Sequence, residues 1–280
     1  ELFSLYKDNI IDQYYGLKIQ YLYPFISGKD FTYIPSPYLV VNAVTESMLN
    51  RVTFRDNKLR RAIGKEVIES YLYNIVRQLD TVTWISPELL YKKGKDKLLT
   101  SDVIAAEGDN VIFYDTKAIT PSLKLRKFDV AEIEADIEIY AEDVIQIYNQ
   151  INNYLQGCFQ LDKQYLKDKI FGIVVVLEDA VVSRKKVYEK VYEILEKTET
   201  LDTEEKNYIC SHIKVLPLRA IECMILQNTS LLPELIEQLS KPERWYDYTY
   251  TNATIENGKI PLYSKYEKDL KSRIKNRIMG

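Results

Sequence analysis

Two aspartates and a lysine are the residues of this chain whose types and spacing could do chemistry: Asp102, Asp115 and Lys117. Asp115-Thr116-Lys117 closes an apolar run, Val111 to Tyr114, that reads as a β-strand, and strand alternation puts Asp115 and Lys117 on one face. Asp102 opens the preceding run, SDVIAAE, and Gly108-Asp109-Asn110 between the two runs is a strong hairpin signal. A Gly108-Asp109 turn sets Asp102 opposite Asp115, and an Asp109-Asn110 turn sets it opposite Lys117. Either register gathers the three side chains on one face, whereas a three-residue turn would change the parity and separate them.

Carboxylates brought close together repel unless a proton or a cation lies between them. A hard divalent ion such as Mg²⁺, which takes carboxylate and carbonyl oxygens, would resolve the conflict. The lysine would then orient or deprotonate an attacking water, or neutralise charge developing on a phosphate. The competing reading is a surface hairpin whose Asp and Lys residues only solvate its edge, since short motifs recur by chance.

The elements around the hairpin must position it. Ile68, Leu72, Ile75 and Leu79 recur on one face and predict a helix from about Asn57 to Leu79. WISPELLYKK, residues 84 to 93, reads as an extended segment entering a basic turn. Beyond the hairpin, Asp129 and Glu132 have the spacing of a helix N-cap and its N3 partner. The helix they start runs to about Leu155, with Ile133, Ile137, Val144, Ile147, Ile151 and Leu155 as its apolar stripe. FGIVVVLE, residues 171 to 178, is the unbroken apolar run of a strand covered on both faces. A charged helix over about 184 to 197 follows, then a strand, HIKVLPLRAI. The fifty residues at the start suggest a strand or two and a loop broken at IPSPY, and Leu231 onward suggests a helix and a polar tail. The fold class expected is α/β, a sandwich of helices around a central mixed sheet.

Composition narrows the function classes. With 280 residues, 46% hydrophobic and 28% charged, the chain can bury a sizeable core and is not expected to be disordered. Its single histidine, His212, excludes HxH and HExxH metal sites and reads as a packed residue at a strand. Three dispersed cysteines, Cys158, Cys210 and Cys223, form no CxxC pair and fit a reducing cytoplasm. No apolar run is long enough for a membrane span, so no membrane partner is expected. Residue 1 is Glu rather than Met, which raises the expectation of a longer gene product. The net charge of -3 leaves nucleic-acid binding to local patches. Such patches occur at Arg51 to Lys65, at Lys92, Lys93, Lys95 and Lys97, at Lys124 to Lys127, and near the C-terminus. Each by itself reads most simply as a solvated face.

Asp102, a hairpin and Asp115-Thr116-Lys117 on the next strand resemble the signature of the PD-(D/E)XK nucleases. The family core of helix, three-stranded meander, crossover helix and further strand matches residues 57 to about 178 in order. Members place a metal-associated Glu on the first helix, and Glu66 and Glu69 stand there in this chain. With Ile68 facing the core, Glu69 lies about 100° around the helix and Glu66 about 160°, so Glu69 is preferred and Glu66 is held in reserve. Gln150 and Tyr154, one helical turn apart, resemble the Gln-x-x-x-Tyr pair of the RecB-like branch, and Gln146 extends their row. Ser101 stands where the family has proline, and Asp115 where Glu is commoner.

The resemblance implies a restriction-endonuclease-like sandwich and an Mg²⁺- or Mn²⁺-dependent nuclease hydrolysing phosphodiester bonds, with DNA as the expected substrate. Asp102, Asp115 and the Thr116 carbonyl would bind metal, Glu69 would complete the shell, and Lys117 would position the attacking water. Gln150 and Tyr154 would contact substrate or buttress the catalytic face. Arg60, Arg61 and Lys65 would hold the substrate backbone by charge. It also implies a restriction or antiviral (phage) defence setting, with a homodimer or a motor or sensor partner. The domain division expected is an N-terminal elaboration over 1–50, the nuclease core over 51–230 and a Tyr-rich extension over 231–280. Two competitors remain: an inactive nucleic-acid-binding module on the same fold, and a protein-interaction domain using some of the 23 tyrosines.

Overall fold

The computed structural model describes residues 25–34, 40, 57–118, 130–177, 183–197, 200–218 and 220–222. Its centre is a five-stranded mixed sheet flanked by helices, the α/β class expected. β1 (Ile26–Ser27) and β2 (Thr32–Tyr33) form a separate small antiparallel ribbon.

The core begins with α1 (Asn57–Ile63), a π-helical stretch (Gly64–Glu69) and α2 (Ser70–Val76). Helical dihedrals at Ile63 and at Glu69 carry the backbone through both junctions, so the three pieces form one rod. β3 (Trp84–Pro87) follows, then a projecting hairpin of β4 (Leu90–Lys93) and β5 (Asp96–Leu99). β6 (Val103–Glu107) and β7 (Asn110–Lys117) precede the long α3 (Val130–Leu155). Then come β8 (Ile170–Val176), α4 (Arg184–Leu195), α5 (Thr203–His212) and β9 (Ile213–Pro217). The strand order is β3-β6-β7-β8-β9, antiparallel through β7 and parallel from β7 to β9. α3 lies in the crossover that parallel pairing of β7 and β8 requires.

Period-two alternation divides the core between the sheet's two faces. Ile104, Phe113, Val174 and Val215 pack under α3 and α4 with Val144, Ile147, Ile151 and Val187. Val103, Ile112, Tyr114 and Ile173 pack under α2 with Leu72, Ile75 and Val76. Every residue of β8 is buried, which is why 170–176 reads as an unbroken apolar run. α3 packs tightly over Gly172: a Cβ there would lie 2.3 Å from Ile147 Cγ2.

Three expectations are corrected. WISPELLYKK divides into β3 and β4, and β4 turns back into its own hairpin. HIKVLPLRAI is a strand only over Ile213–Pro217; His212 ends α5, a helix the polar sequence before it conceals. There its ring stacks on Tyr208 and Phe171, and burial lowers its pKa, so it is a packed histidine on a helix rather than in a strand. Leu155, counted in the apolar stripe, is exposed. The proposed cap at Asp129, Cys223 and the segments 1–24, 51–56 and 231–280 lie outside the described residues, as does all of IPSPY but Ile34. Among the described residues no helix is long and apolar enough to cross a membrane.

Candidate active site

The hairpin register decides which side chains meet. Val103 pairs with Tyr114 and Glu107 with Asn110, so Gly108-Asp109 is the turn, with Gly108 at φ 59. Continued one step beyond β6, that register sets Asp102 opposite Asp115. The Asp102 carboxylate reaches across to β7, where its Oδ2 accepts from the Thr116 N–H and the Thr116 hydroxyl, each at 2.6 Å. A strand residue points its N–H and C=O to the same side, so the Thr116 carbonyl faces the edge that Asp102 caps.

Asp115 and Lys117 emerge on the α3 side of β7. Lys117 Nζ forms ion pairs with Asp115 Oδ2 at 2.7 Å and Asp143 Oδ1 at 3.3 Å, and donates a hydrogen bond to Gln146 Oε1 at 2.8 Å. Burial pushes the Asp115 carboxyl up to about 6; Lys117 opposes the shift, and Asp102 and Asp143 add to it. Burial likewise pushes Asp143 up to about 6 against the pull of Lys117. For Lys117 burial acts downward, but Asp115 and Asp143 outweigh it and the net shift is upward. The lysine therefore stays an ammonium at neutral pH, suited to donating hydrogen bonds to an anion rather than to accepting a proton. Asp143 Oδ2 is buried and accepts no hydrogen bond among the described residues.

Glu69 and Glu66 are separated as the helical geometry indicates. Glu66 is exposed, while Glu69, at the end of the π-helical stretch, is half-buried. Burial and the charges of Asp102, Glu88 and Asp115 push Glu69 up to about 7, with Lys65 opposing. Its carboxyl thus lies within the field of both hairpin aspartates. Lys65 pairs with Glu88 at 3.6 Å. Arg61 is exposed; Arg60 is partly buried, which lowers its pKa.

Gln150 and Tyr154 diverge in what they hold. Gln150 is buried and accepts a hydrogen bond from the Ser101 hydroxyl, directly before Asp102. Tyr154 is turned into the core: its hydroxyl donates to the Lys163 carbonyl at 3.2 Å and accepts from the Tyr165 N–H at 2.8 Å. Its ring packs beside Phe113 and Phe159. Of the two roles expected for the pair, these contacts are those of buttresses.

The donor set fits a hard divalent cation. Asp115 and Glu69 are carboxyls whose protons are held by mutual repulsion and burial, and Asp143 contributes a buried oxygen with no hydrogen-bond donor. Among the described residues no group of three or more His, Cys, Asp or Glu side chains is already gathered as a metal cage. Mg²⁺ does not require one: it commonly uses one or two carboxylates together with waters and substrate phosphate.

No protein-family profile matches the chain. Part of it is similar to a "Probable DNA-directed RNA polymerase" of Gelasinospora sp. (strain G114), 26% identical over 134 residues. That stretch is 48% of this chain and 15% of the polymerase, so the match spans a small fraction of that relative's length. Among solved structures, the small subunit of a heterodimeric restriction endonuclease aligns over 75% of this chain and 94% of its own, at 9% identity and a TM-score of 0.32. The α/β fold class is given by the strand order and flanking helices of the sheet.

Asp143 and Glu88 escaped the sequence reading. Asp143 lies in the middle of α3, well past the acidic first turn of that helix. The signal was available: Asp143 precedes Gln150 by two helical turns, and both fall on the buried stripe with Val144, Ile147 and Ile151. Polar residues on an apolar stripe are the informative exceptions. Nothing local marks Glu88, which reaches the site because β3 ends beside the helix carrying Lys65 and Glu69.

Proposed function

We propose that the chain is a metal-dependent nuclease that hydrolyses phosphodiester bonds in DNA. The observation that carries the reading is the meeting of Asp102, Asp115 and Lys117 at one end of β7, with the lysine clasped by Asp115, Asp143 and Gln146. Asp102, Asp115 and the Thr116 carbonyl hold Mg²⁺ or Mn²⁺, and Glu69 completes the set directly or through water. When bound, such an ion supplies Lewis acidity to the phosphate and a nucleophilic water at neutral pH.

The protein's own groups do the rest. Thr116 fixes the rotamer of Asp102 through two hydrogen bonds. Gln150 steadies Ser101 and hence the entry to β6. Lys117, kept protonated, donates to the non-bridging phosphate oxygens as charge builds there during attack. Arg61 and Lys65, exposed on the helix before Glu69, attract the substrate backbone. The resemblance of the Asp102, Asp115 and Lys117 pattern to that of DNA nucleases supports DNA as the substrate. A defence or DNA-processing setting, with a second copy or a motor or sensor partner, belongs to the same proposal.

The test is cleavage of supercoiled plasmid and linear DNA with Mg²⁺, Mn²⁺ or EDTA, beside Lys117→Ala and Lys117→Met. Metal-dependent cleavage lost in variants that still melt cooperatively is the expected result. Absence of cleavage and of calorimetric metal binding in the native protein would overturn it. The second reading is a nucleic-acid-binding module without activity, and one observation favours it: Asp102 and Asp115 are already engaged by Thr116 and Lys117. DNA affinity with no metal affinity would select that reading.

A further inference from the structure

The four lysines between Lys92 and Lys97 take no part in the site described above, and the fold gives them a definite arrangement. The β4–β5 hairpin pairs Leu90 with Leu99, Tyr91 with Leu98, Lys92 with Lys97 and Lys93 with Asp96. Alternation divides these pairs between two faces. Tyr91 and Lys93 turn inward, where Lys93 Nζ donates to Asn153 Oδ1 at 2.7 Å and Asn153 Nδ2 donates to the Tyr91 hydroxyl at 2.8 Å. Leu90, Leu99, Lys92 and Lys97 make up the outer face, and all four are exposed, the two leucines at 65% and 46%.

That outer face is at odds with a hairpin that only meets water. Like charges directly across a strand pair repel, and Lys92 and Lys97 are such a pair. Exposing two leucines side by side next to them adds an apolar patch that folding leaves uncovered. An anionic polymer with apolar sugar faces satisfies both features: phosphates lie between the ammonium groups and sugars lie on the leucines. The inner face, in contrast, is pinned to α3 one turn beyond Gln150. The hairpin's base is also fixed: Thr100 N donates to the Leu89 carbonyl, and Leu89 N donates to Thr100 Oγ1, each at 2.9 Å. Thr100 leads through Ser101 straight into Asp102.

We infer that the outer face of this hairpin, Lys92 and Lys97 with Leu90 and Leu99, is a docking surface for the sugar-phosphate backbone of duplex DNA beside the site. The inference rests on the nuclease reading for the identity of the polymer, and it adds where the duplex lies. Lys97 is five residues from Asp102 in the chain. At about 3.3 Å per extended residue the two are at most about 17 Å apart. Duplex DNA advances about 3.4 Å per base pair, so that backbone separation spans about five base pairs, and the docked phosphates lie on the same stretch of duplex as the bond at Asp102.

The experiment is fluorescence anisotropy of a labelled duplex oligonucleotide in EDTA over a salt series, with the full chain and with Lys92→Gln/Lys97→Gln. Losing two phosphate contacts should weaken binding and flatten the slope of log affinity against log salt by about 2. Lys92→Arg/Lys97→Arg should restore both, and Lys185→Gln/Lys197→Gln on the α4 side should change neither. Leu90→Ser/Leu99→Ser should lower affinity with the slope unchanged. An unaltered slope in the glutamine variant overturns the inference, whatever the cleavage result. So does a drop in mass by light scattering in the serine variant with DNA affinity intact, which assigns the face to a second copy. If hairpin-dependent binding is found but no metal supports cleavage, the nuclease reading fails and the docking surface stands.

Discussion

Replacing Asp143 with Asn separates stability from activity in a way only this buried arrangement predicts. Asp143 is buried, Lys117 is its one close cation among the described residues, and its pKa is pushed from 3.8 to about 6 because burial outweighs that partner. A group whose pKa is raised on folding destabilises the folded state once pH exceeds its unfolded value. The cost begins near pH 4, grows to about pH 6 and is constant above. The interval corresponds to at most about 3 kcal/mol. Asparagine is neutral at every pH and nearly isosteric, and it can turn its amide toward the acceptors that crowd the site. In EDTA, Asp143→Asn should therefore melt with the native protein at pH 4. At pH 7.5 it should melt higher, by up to about 6–12 °C at the usual conversion for a domain of this size. Cleavage should move the opposite way, because Lys117 loses one of the two carboxylates that aim it; outer-shell losses of this kind slow a site by about 10–100-fold. Paired thermal melts across pH and single-turnover cleavage with Mg²⁺ give the answer. A variant less stable at pH 7.5 than the native protein, or one with undiminished cleavage, would refute the reasoning.

Other outcomes follow from the same contacts. Divalent-ion binding should release protons, because Glu69 at about 7 and Asp115 at about 6 must ionise to serve as ligands. Affinity should rise from pH 5.5 to 7.5, and calorimetry in buffers of different ionisation enthalpy should show the release. Gln150→Leu leaves the buried Ser101 hydroxyl without its acceptor and should cost about 1–3 kcal/mol by denaturant titration. It should also lower kcat while leaving duplex affinity in EDTA unchanged. Gly172→Ala would drive a methyl group against Ile147 Cγ2 across the α3–β8 contact, an overpacking that should destabilise by about 1–3 kcal/mol.

The sequence alone sufficed where a strong local periodicity or turn signal is present. Alternation in 110–117 placed Asp115 and Lys117 together, and the apolar run at 171–178 marked a strand covered on both faces. Glycine at the first turn position allowed the two-residue hairpin, and helical spacing from Ile68 favoured Glu69 over Glu66. Each is a local periodicity, set by backbone geometry that every strand or helix shares. α5 was concealed because its polar sequence carries little apolar periodicity, and the neighbouring apolar residues of β9 drew His212 into the strand reading.

Tertiary structure decided what those residues meet. Only the packing of α3 over β7 brings Asp143 and Gln146 to Lys117, across 26 and 29 positions of sequence. Asp115, on the same strand, and Asp143 together hold the lysine's pKa up against burial. Only the fold turns Tyr154 inward while Gln150, one turn earlier, supports Ser101. Burial also moves Asp115 and Glu69 toward neutral pH, which no spacing foretells, since the shifts arise from lost solvent and from charges on other elements. Sequence spacing selects the face on which a side chain stands; its charge state is set by what folding packs against that face.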